Sequence, residues 1–557
     1  MLIIKLGGAN TLLEGKFVDR SDGNARLLST SAAPNRRDFL RGMAVAGAAV
    51  GGGGLLAACG SSSPSTSTTT AVGASRKHGG NLKVGLSGSS GADTLDPHQG
   101  LTYLDSARAQ SLYQSLLQLD SQAQTQLVLA EEITPQSSTE FIIRLRQGVT
   151  FHNGKPLTAQ DVIYTFRRIK TGAGGHPFSG ANSLGPMDLT ALKAVDNRTV
   201  KVTFSAPYAS FVDQLAYWYY LYIIPDGFNP AKEKPNGTGP FKYQSFNANQ
   251  RSVVARNPNF WQSGLPYVDT VTVIDFPDNT SLQDALTTGV IHAAGAFDGP
   301  ELAALSTVSG VKTVASHTGA ITPFTMRVDQ PPFNDVRVRQ ALRLLVDRPQ
   351  LIDSALDGYG VVASDVFSPY DPDFNKSLRR EQDIPHAKSL LKSAGHENLA
   401  VTLVTSPAAT GMVAMATVLK EQAQAAGVTI NLNNVPSSTF FGKNYLSWTF
   451  SQDFYNYSPY LAQVAQSMLG MLSPFNETHT NSSTLTNLYK QANSTIDPSL
   501  RKEIEHEMQA FDFNEGGYII PAYIDALDAY STQITGYSPS AVGQPLSAFD
   551  FEKWSFV

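Results

Sequence analysis

The feature that most limits what this chain can fold into is an arginine pair, an uncharged run and a single cysteine near its start. Arg36 and Arg37 precede the run from residue 42 to residue 58, and Cys59 is the only cysteine in 557 residues. This order is typical of a secretory signal, and paired arginines shortly before Phe-Leu indicate the twin-arginine variety. The run holds about 17 residues and is rich in glycine, whereas a membrane helix needs roughly 20 mostly apolar residues. We therefore expect the folded body to follow this run and to lie outside the cytoplasm.

Residues 56–59 look like a lipobox, the signal at which bacteria acylate a cysteine and make it the first residue of the mature chain. A buried thiol is the alternative, but a cysteine between an apolar run and a Ser/Thr tract has no core to enter. Stable anchoring needs more than one acyl chain, and a lipoprotein carries several. We expect residues 1–58 to be a signal region and residues 59–78 to be a flexible tether. We expect Cys59 to carry a lipid anchor that holds the protein at the outer face of the cell membrane, in the periplasm or cell-wall space.

Composition and motifs limit the chemistry. The net charge of −5 argues against a nucleic-acid partner, because such binding gains affinity by neutralising phosphates. The sequence has no G-x-S-x-G, H-E-x-x-H or Walker A motif, and its ten histidines are dispersed. His152 is a candidate general base, but it lies in a turn where a hydrogen-bonding role is expected. The sequence therefore predicts neither an enzyme nor a bound metal or cofactor.

Strand and helix signals intermix along the body. Residues 141–146 alternate like a half-buried strand, and Asn153-Gly154 is a tight-turn dipeptide. Thr158 and Asp161 match a capping box, in which the hydroxyl accepts from the third helical N–H and the carboxylate reaches back. Such signals recur throughout and predict a mixed α/β or α+β fold. The body also exceeds one typical core, so two or three domains are expected.

Seven segments carry a further signal through their order and spacing: 79–85, 94–98, 141–162, 237–241, 256–261, 331–341 and 518–523. Together they resemble the extracytoplasmic solute-binding proteins of ABC importers, in the peptide, dipeptide and nickel cluster called family 5. The resemblance implies a bilobed periplasmic-binding-protein fold whose lobes close on a solute in the cleft between them. It also implies a monomer that delivers this solute to ABC permease subunits.

The resemblance further implies how the chain is divided. Lobe I is expected to comprise residues 79–320 and 505–557, with residues 119–236 as an inserted subdomain. Lobe II is expected to span residues 321–504. A ligand-sensing receptor domain for a signalling partner is the alternative function, because both kinds of protein use the same closing lobes.

The segment 448–460 bears on the ligand. Peptide-binding members of the family often carry Trp-x-x-Asp-Tyr before an acidic-Pro pair there, and the first carboxylate pairs with the α-ammonium group of the peptide. With Pro459 setting the register, Tyr455 stands at the position of that carboxylate and Ser458 at the acidic one. Asp453 could take the role only in a shifted register, so this chain departs from the peptide-binding pattern.

Two kinds of ligand therefore stay open. Asp453 would hold an oligopeptide, whereas aromatic and amide side chains suit a neutral oligosaccharide-like solute. The expected ligand-binding residues are Trp448, Asp453, Tyr455, Asn456, Tyr457 and Arg327. Arg327 stands where the family often has Asn and could bind a ligand carboxylate, although an ion pair within the protein is the alternative.

Overall fold

The computed structural model describes residues 76–88, 93–100, 102–172, 175–216, 218–470 and 473–557. Arg36, Arg37 and Cys59, with residues 1–58 and most of the expected tether, lie outside the described residues. Among the helices within those residues, none is long and apolar enough to cross a membrane.

The strands alternate with helices along most of the chain. The strands are β1 Asn81–Ser87, β2 Leu117–Leu119, β3 Thr125–Leu127, β4 Ala130–Ser137, β5 Glu140–Leu145, β6 Lys193–Asp196, β7 Thr199–Thr203, β8 Phe241–Asn247, β9 Arg251–Arg256, β10 Thr270–Phe276, β11 Ala293–Gly295, β12 Val311–Ile321, β13 Phe324–Met326, β14 Gly360–Val362, β15 Ala400–Thr405, β16 Thr429–Asn434, β17 Phe450–Gln452, β18 Tyr518–Ile519, β19 Ala522–Ser531, β20 Ile534–Thr535 and β21 Ser555–Phe556. The helices are α1 Tyr103–Leu112, α2 Ala159–Thr171, α3 Phe211–Leu215, α4 Asn279–Thr287, α5 Gly299–Ser306, α6 Val336–Leu344, α7 Arg348–Ala355, α8 Ile384–Ser393, α9 Met412–Ala423, α10 Ser437–Phe440, α11 Tyr460–Ser467, α12 Ser483–Ser494, α13 Pro498–Glu515 and α14 Pro545–Ala548. This mixture confirms the predicted fold class.

The larger sheet has the strand order β12-β19-β11-β1-β10-β9-β8, and β14 pairs with β19 beside it. Its inner strand β1 runs parallel to β10 and β11, and the side chains of Leu82 and Val84 are fully buried. Gly85 lies at the contact with α4, where a Cβ atom would stand 2.5 Å from the Leu282 side chain. A glycine therefore lets the helix pack closely on the sheet.

A four-stranded sheet, β4-β5-β7-β6, lies within the range expected for the inserted subdomain. Its strand β5 confirms the strand predicted at 141–146. The capping box is present at the start of α2: Asp161 accepts a hydrogen bond from the Thr158 backbone N–H at 2.8 Å. The local signals of this region thus match the structure to within a residue.

The smaller sheet has the order β16-β15-β17-β13-β18, and helices α6 to α9 pack around it over a second apolar core. Two short connections join the sheets directly: residues 322–323 link β12 to β13, and residues 520–521 link β18 to β19. These connections are neighbours, because Ile321 pairs with Tyr523 on one side of them and Phe324 pairs with Ile519 on the other.

The sheets differ in detail from the expected division of the chain. The boundary predicted at residues 504/505 falls inside α13, and β18 still belongs to the smaller sheet. The strand β14 lies in the range expected for lobe II but pairs with β19 of the larger sheet. Sequence patterns do not reveal these differences, because strand partners are chosen by contacts between distant parts of the chain.

Candidate ligand-binding cleft

A cavity of about 580 Å³ lies between the two sheets, next to the connections that join them. The larger sheet contributes the end of β12 and residues 524–527 of β19, and α5 adds its first residues. The other side consists of the loop 408–411 before α9 and residues 454–456 after β17. The cavity is thus bounded by strands of the larger sheet on one side and by segments adjoining the smaller sheet on the other, and its size is that of a small-molecule site.

An irregularity in β12 shapes the floor of the cleft. The register between β12 and β19 shifts between Ser316 and Ala320, and the Thr318 hydroxyl donates to the carbonyl of Ile524 at 2.5 Å. Gly543 approaches from the C-terminal segment with φ +89°, where a Cβ atom would lie 3.2 Å from Ala320 and 3.4 Å from the Asn456 Oδ1 atom. A glycine is favoured here because its backbone conformation strains other residues, and a Cβ atom would also be tight against Ala320.

Tyr455 lines the cleft, and its hydroxyl group forms hydrogen bonds inside the protein. Its backbone N–H and carbonyl pair with Ile321 at 2.9 and 2.8 Å, which fastens this segment to the end of β12. The hydroxyl donates to the Oε1 atom of the buried Glu477, and Tyr518 donates to the Oε2 atom at 2.7 Å. Tyr455 and Asn456 both line the cleft, and the hydroxyl group of Tyr455 is occupied within the protein.

Asp453, Trp448 and Tyr457 do not line this cavity. The Asp453 side chain is fully buried and accepts from the N–H of Phe454 at 2.9 Å and from the Tyr445 hydroxyl at 3.3 Å. Trp448 stacks on Phe440 at 6.4 Å between ring centroids. Both border a small void within the second lobe instead.

Tyr457 and Arg327 also have partners within the protein. Tyr457 is buried against Gly319 and lies edge-on to the Tyr370 ring at 5.9 Å. Arg327 donates twice to Asp329, at 2.7 Å each, and once to the Ser447 carbonyl at 3.2 Å. The ion pair that was the alternative for Arg327 is the arrangement observed. Of the six expected ligand-binding residues, the structure brings only Tyr455 and Asn456 to the cleft.

The charged residues around the cleft are acidic. Asp298, Asp357 and Asp525 line it, and within the described part of the chain neither lysine nor arginine does. Asp298 caps α5 by accepting from the Glu301 backbone N–H at 2.9 Å. The Asp525 Oδ1 atom lies 2.9 Å from His317 Nδ1. Burial raises the pKa of Asp525, although the hydrogen bond from His317 lowers it.

Sequence reasoning missed Asp525 and His317, because 208 residues separate them and no local motif marks either. They meet only because β12 and β19 are neighbours in the larger sheet. His152, the candidate base, lies elsewhere: its ring accepts from the Gly237 N–H at 3.3 Å and contacts the Gly239 carbonyl at 3.1 Å. Burial lowers the pKa of His152 to about 4, and a neutral imidazole suits this hydrogen-bonding role.

One group of carboxylates outside the cleft has the spacing of a metal site. Ligand atoms of Asp371, Asp373 and Glu505 lie within 4.8 Å of one another. Each of these carboxylates has a partner within the protein: Lys502 lies 3.0 Å from Asp373, Arg501 lies 3.5 Å from Glu505, and Asp371 accepts from the Tyr460 backbone N–H at 2.9 Å. The arrangement therefore has an explanation as an ion-pair network.

Comparison with known proteins gives the same assignment from two directions. Residues 124–479 match the family described as bacterial extracellular solute-binding proteins, family 5, middle. Glutathione-binding protein GsiB from Escherichia coli O1:K1 / APEC is 29% identical over 325 residues, which is 57% of this chain and 62% of the length of that relative.

Two solved structures share the fold. The ABC transporter substrate-binding protein CtaP from Listeria monocytogenes gives a TM-score of 0.76 at 22% identity over 86% of this chain and 100% of that one. The periplasmic binding protein DppA from Helicobacter pylori, solved with peptide STSA, gives 0.71 at 20% identity over 86% and 98%. The fold is thus that of bilobed binding proteins, and the family match takes in more than half of the sequence. This chain belongs to family 5 of the bacterial extracellular solute-binding proteins.

Proposed function

We propose that the protein is the lipid-anchored solute-binding subunit of an ABC importer, which captures an oligopeptide or similar small solute and delivers it to membrane permease subunits. The observation that carries this proposal is the cavity of about 580 Å³ that lies between the larger sheet and the segments adjoining the smaller one. A solute there would touch both lobes, and such contacts form only when the lobes are closed. Binding therefore favours closure, and the role needs no catalysis.

Contacts away from the connections support a closing motion. Before α3, the backbone N–H of Ala209 donates to the Asn493 carbonyl at 2.9 Å, and the Ser210 hydroxyl donates to the Asn493 side chain at 2.7 Å. Asp213 lies 3.9 Å from Arg501 of α13. These contacts join the inserted region to helices near the second lobe, so they can hold the lobes together around a bound solute.

Small-angle scattering of ligand-free and ligand-bound protein tests the closing motion. We expect the radius of gyration to fall on binding, because the cleft contacts bring the lobes together. An unchanged radius at proven occupancy would contradict a hinge mechanism. Native mass spectrometry of protein purified from its own cells identifies the solute that occupies the cleft.

The relatives favour a peptide as the solute. The similar protein from E. coli bears the name glutathione-binding protein, and the H. pylori structure contains a bound peptide. A neutral oligosaccharide-like solute is the second candidate, because four aromatic residues line the cleft, Tyr103, Phe297, Tyr359 and Tyr455, and aromatic faces suit sugars as well as apolar side chains. Calorimetry with a peptide library and an oligosaccharide panel distinguishes the two.

Import and sensing predict different phenotypes. A deletion strain should lose uptake of the solute if the protein serves an importer, and a permease and an ATPase should be encoded beside it. Loss of a transcriptional response with unchanged uptake, together with a neighbouring sensor kinase, would support the receptor alternative.

The membrane anchor is tested at Cys59 and export at the arginine pair. Cys59→Ser should release the protein into the soluble extracytoplasmic fraction, because the acyl chains would have no attachment point. Recovery of this variant with membranes, as for wild type, would refute the anchor.

Replacing Arg36 and Arg37 by lysine should block export by the twin-arginine route, whereas normal export would indicate the general secretory route.

A further inference from the structure

The geometry points to Asp525 as the residue that binds a positively charged group of the solute, in place of the carboxylate that this chain lacks at Tyr455. This inference rests on the proposed capture of a small solute between the lobes. It adds the chemical class of the solute, which would carry an ammonium or similar cation, as the N-terminus of an unblocked peptide does.

The position of Asp525 is the first observation. It lies on β19 at the floor of the cleft and lines the cavity, yet the residue is only 9% exposed. The carbonyl of its neighbour Ile524 accepts a hydrogen bond from the Thr318 hydroxyl. Thr318 and Asn456 both lie close to Gly543 of the C-terminal segment. The carboxylate therefore lies where the two lobes and the C-terminal segment meet, so that a solute bound there is enclosed.

The hydrogen bonding of this carboxylate is the second observation. Oδ1 is held by His317 Nδ1 at 2.9 Å. Oδ2 accepts no hydrogen bond from any residue that the structure describes. Oδ2 is not one of the buried unpaired atoms and so stays open to the cleft, where an ammonium group would pair with it through a charge-assisted hydrogen bond. His317 at the same time fixes the orientation of the carboxylate, since its ring binds one of the two oxygens.

The other acids of the cleft are less suited to this role. The Asp298 side chain is engaged as the cap of α5, and Asp357 is exposed, where water screens its charge. Among the described lining residues there is no lysine or arginine to neutralise Asp525. A cationic group is therefore attracted to the floor of the cleft, and a solute carrying only negative charge is repelled.

The test uses tripeptides of mixed sequence without lysine or arginine, and the same pool acetylated at its N-termini. Native mass spectrometry identifies the peptides that the full-length protein retains, and calorimetry measures their affinities. We expect acetylation to weaken binding to wild type by on the order of 30-fold or more, because truncating one partner of a buried charge pair has effects of that size. Asp525→Asn should weaken binding of the free peptides equally and leave the acetylated ones unchanged.

Asp353→Asn is the matched control, because it removes the same charge from an exposed position on α7 that does not line the cleft. It should change the affinity by less than about threefold, as expected for an exposed charge. If Asp525→Asn fails to fold by circular dichroism, the acetylation comparison on wild type decides alone.

The outcomes separate this inference from the function on which it rests. Tight binding of free peptides that survives both acetylation and Asp525→Asn would overturn Asp525 as the cation site and leave peptide capture standing. Retention of neither pool, with closure on an uncharged oligosaccharide, would overturn the cation site and peptide capture but leave capture of a small solute between the lobes standing.

Discussion

Asp365 offers the sharpest test of how this structure is held together, because it lies behind the connection between the lobes. Its carboxylate accepts two hydrogen bonds from Arg348 at 2.9 Å and lies 2.5 Å from Arg380. It also accepts from the backbone N–H of Ile520 at 2.9 Å, within the segment that leads from β18 to β19. The Asp365 side chain is fully buried.

Asp365→Asn should lower the free energy of unfolding of the second lobe by about 3–5 kcal/mol, because it leaves two guanidinium groups buried without their counter-charge. Urea unfolding measures this change. Tryptophan fluorescence follows unfolding of the whole protein, because Trp448 lies between residues 321 and 504 and the other three tryptophans lie outside that range. Asp329→Asn is the control, since Asp329 also receives two hydrogen bonds from one arginine but is 39% exposed. It should cost less than about 1 kcal/mol.

The pH dependence gives an independent check. Burial raises the pKa of the Asp365 carboxyl, but the guanidinium groups around it lower it further, so that the pKa lies below its ordinary value. The ionised carboxylate therefore contributes stability above the ordinary pKa of an aspartate, and this contribution is lost as the pH falls through the folded-state pKa. The difference between wild type and Asp365→Asn should shrink in acid. A cost no larger than that of Asp329→Asn, or a difference that grows in acid, would refute the reasoning.

Three further predictions concern other buried groups. Burial raises the pKa of Asp512 to about 7, although the hydrogen bond from Tyr460 lowers it. The protonated carboxyl therefore contributes stability that is fully present below the ordinary carboxyl pKa and is lost as the pH rises through 7. Asp512→Asn should therefore be more stable than wild type at pH 8, by on the order of 4 kcal/mol in urea unfolding, and equal near pH 4. Asn493→Ala removes the acceptor of the Ser210 hydroxyl and should weaken solute binding about fivefold in calorimetry, since a hydrogen bond contributes about 1 kcal/mol; stronger binding would contradict a role in closure. Asp453→Asn should leave affinity within about threefold, because this side chain lies outside the cleft; a loss of 30-fold or more would return Asp453 to the site.

Local patterns predict much of the fold but only part of the site. The strand, turn and capped helix between residues 140 and 171 follow from periodicity and capping alone, because each signal acts within a few residues. The bilobed arrangement is predicted only by the order of the seven segments, through their resemblance to a known family. Local physical signals alone do not predict it.

The floor of the cleft could not be found in this way. Tyr455 and Asn456 reach the cleft because their segment pairs with Ile321, and the same pairing keeps Asp453 out. Asp525 meets His317 only through the pairing of two strands of the larger sheet. Contacts between distant segments depend on the tertiary packing of the whole protein, and patterns among neighbouring residues do not predict them.

The two connections between the sheets carry one more consequence. Each connection ends in a proline, Pro323 and Pro521, whose ring fixes φ near −65°. The two connections lie side by side, because the strands on either side of them are paired. Two adjacent connections of this kind permit rotation of one lobe about a single axis and oppose twisting or sliding of the lobes. In the proposed closing motion, the two lobes would therefore move along one path whatever solute lies between them, and the closed protein would present the same outer surface to a permease.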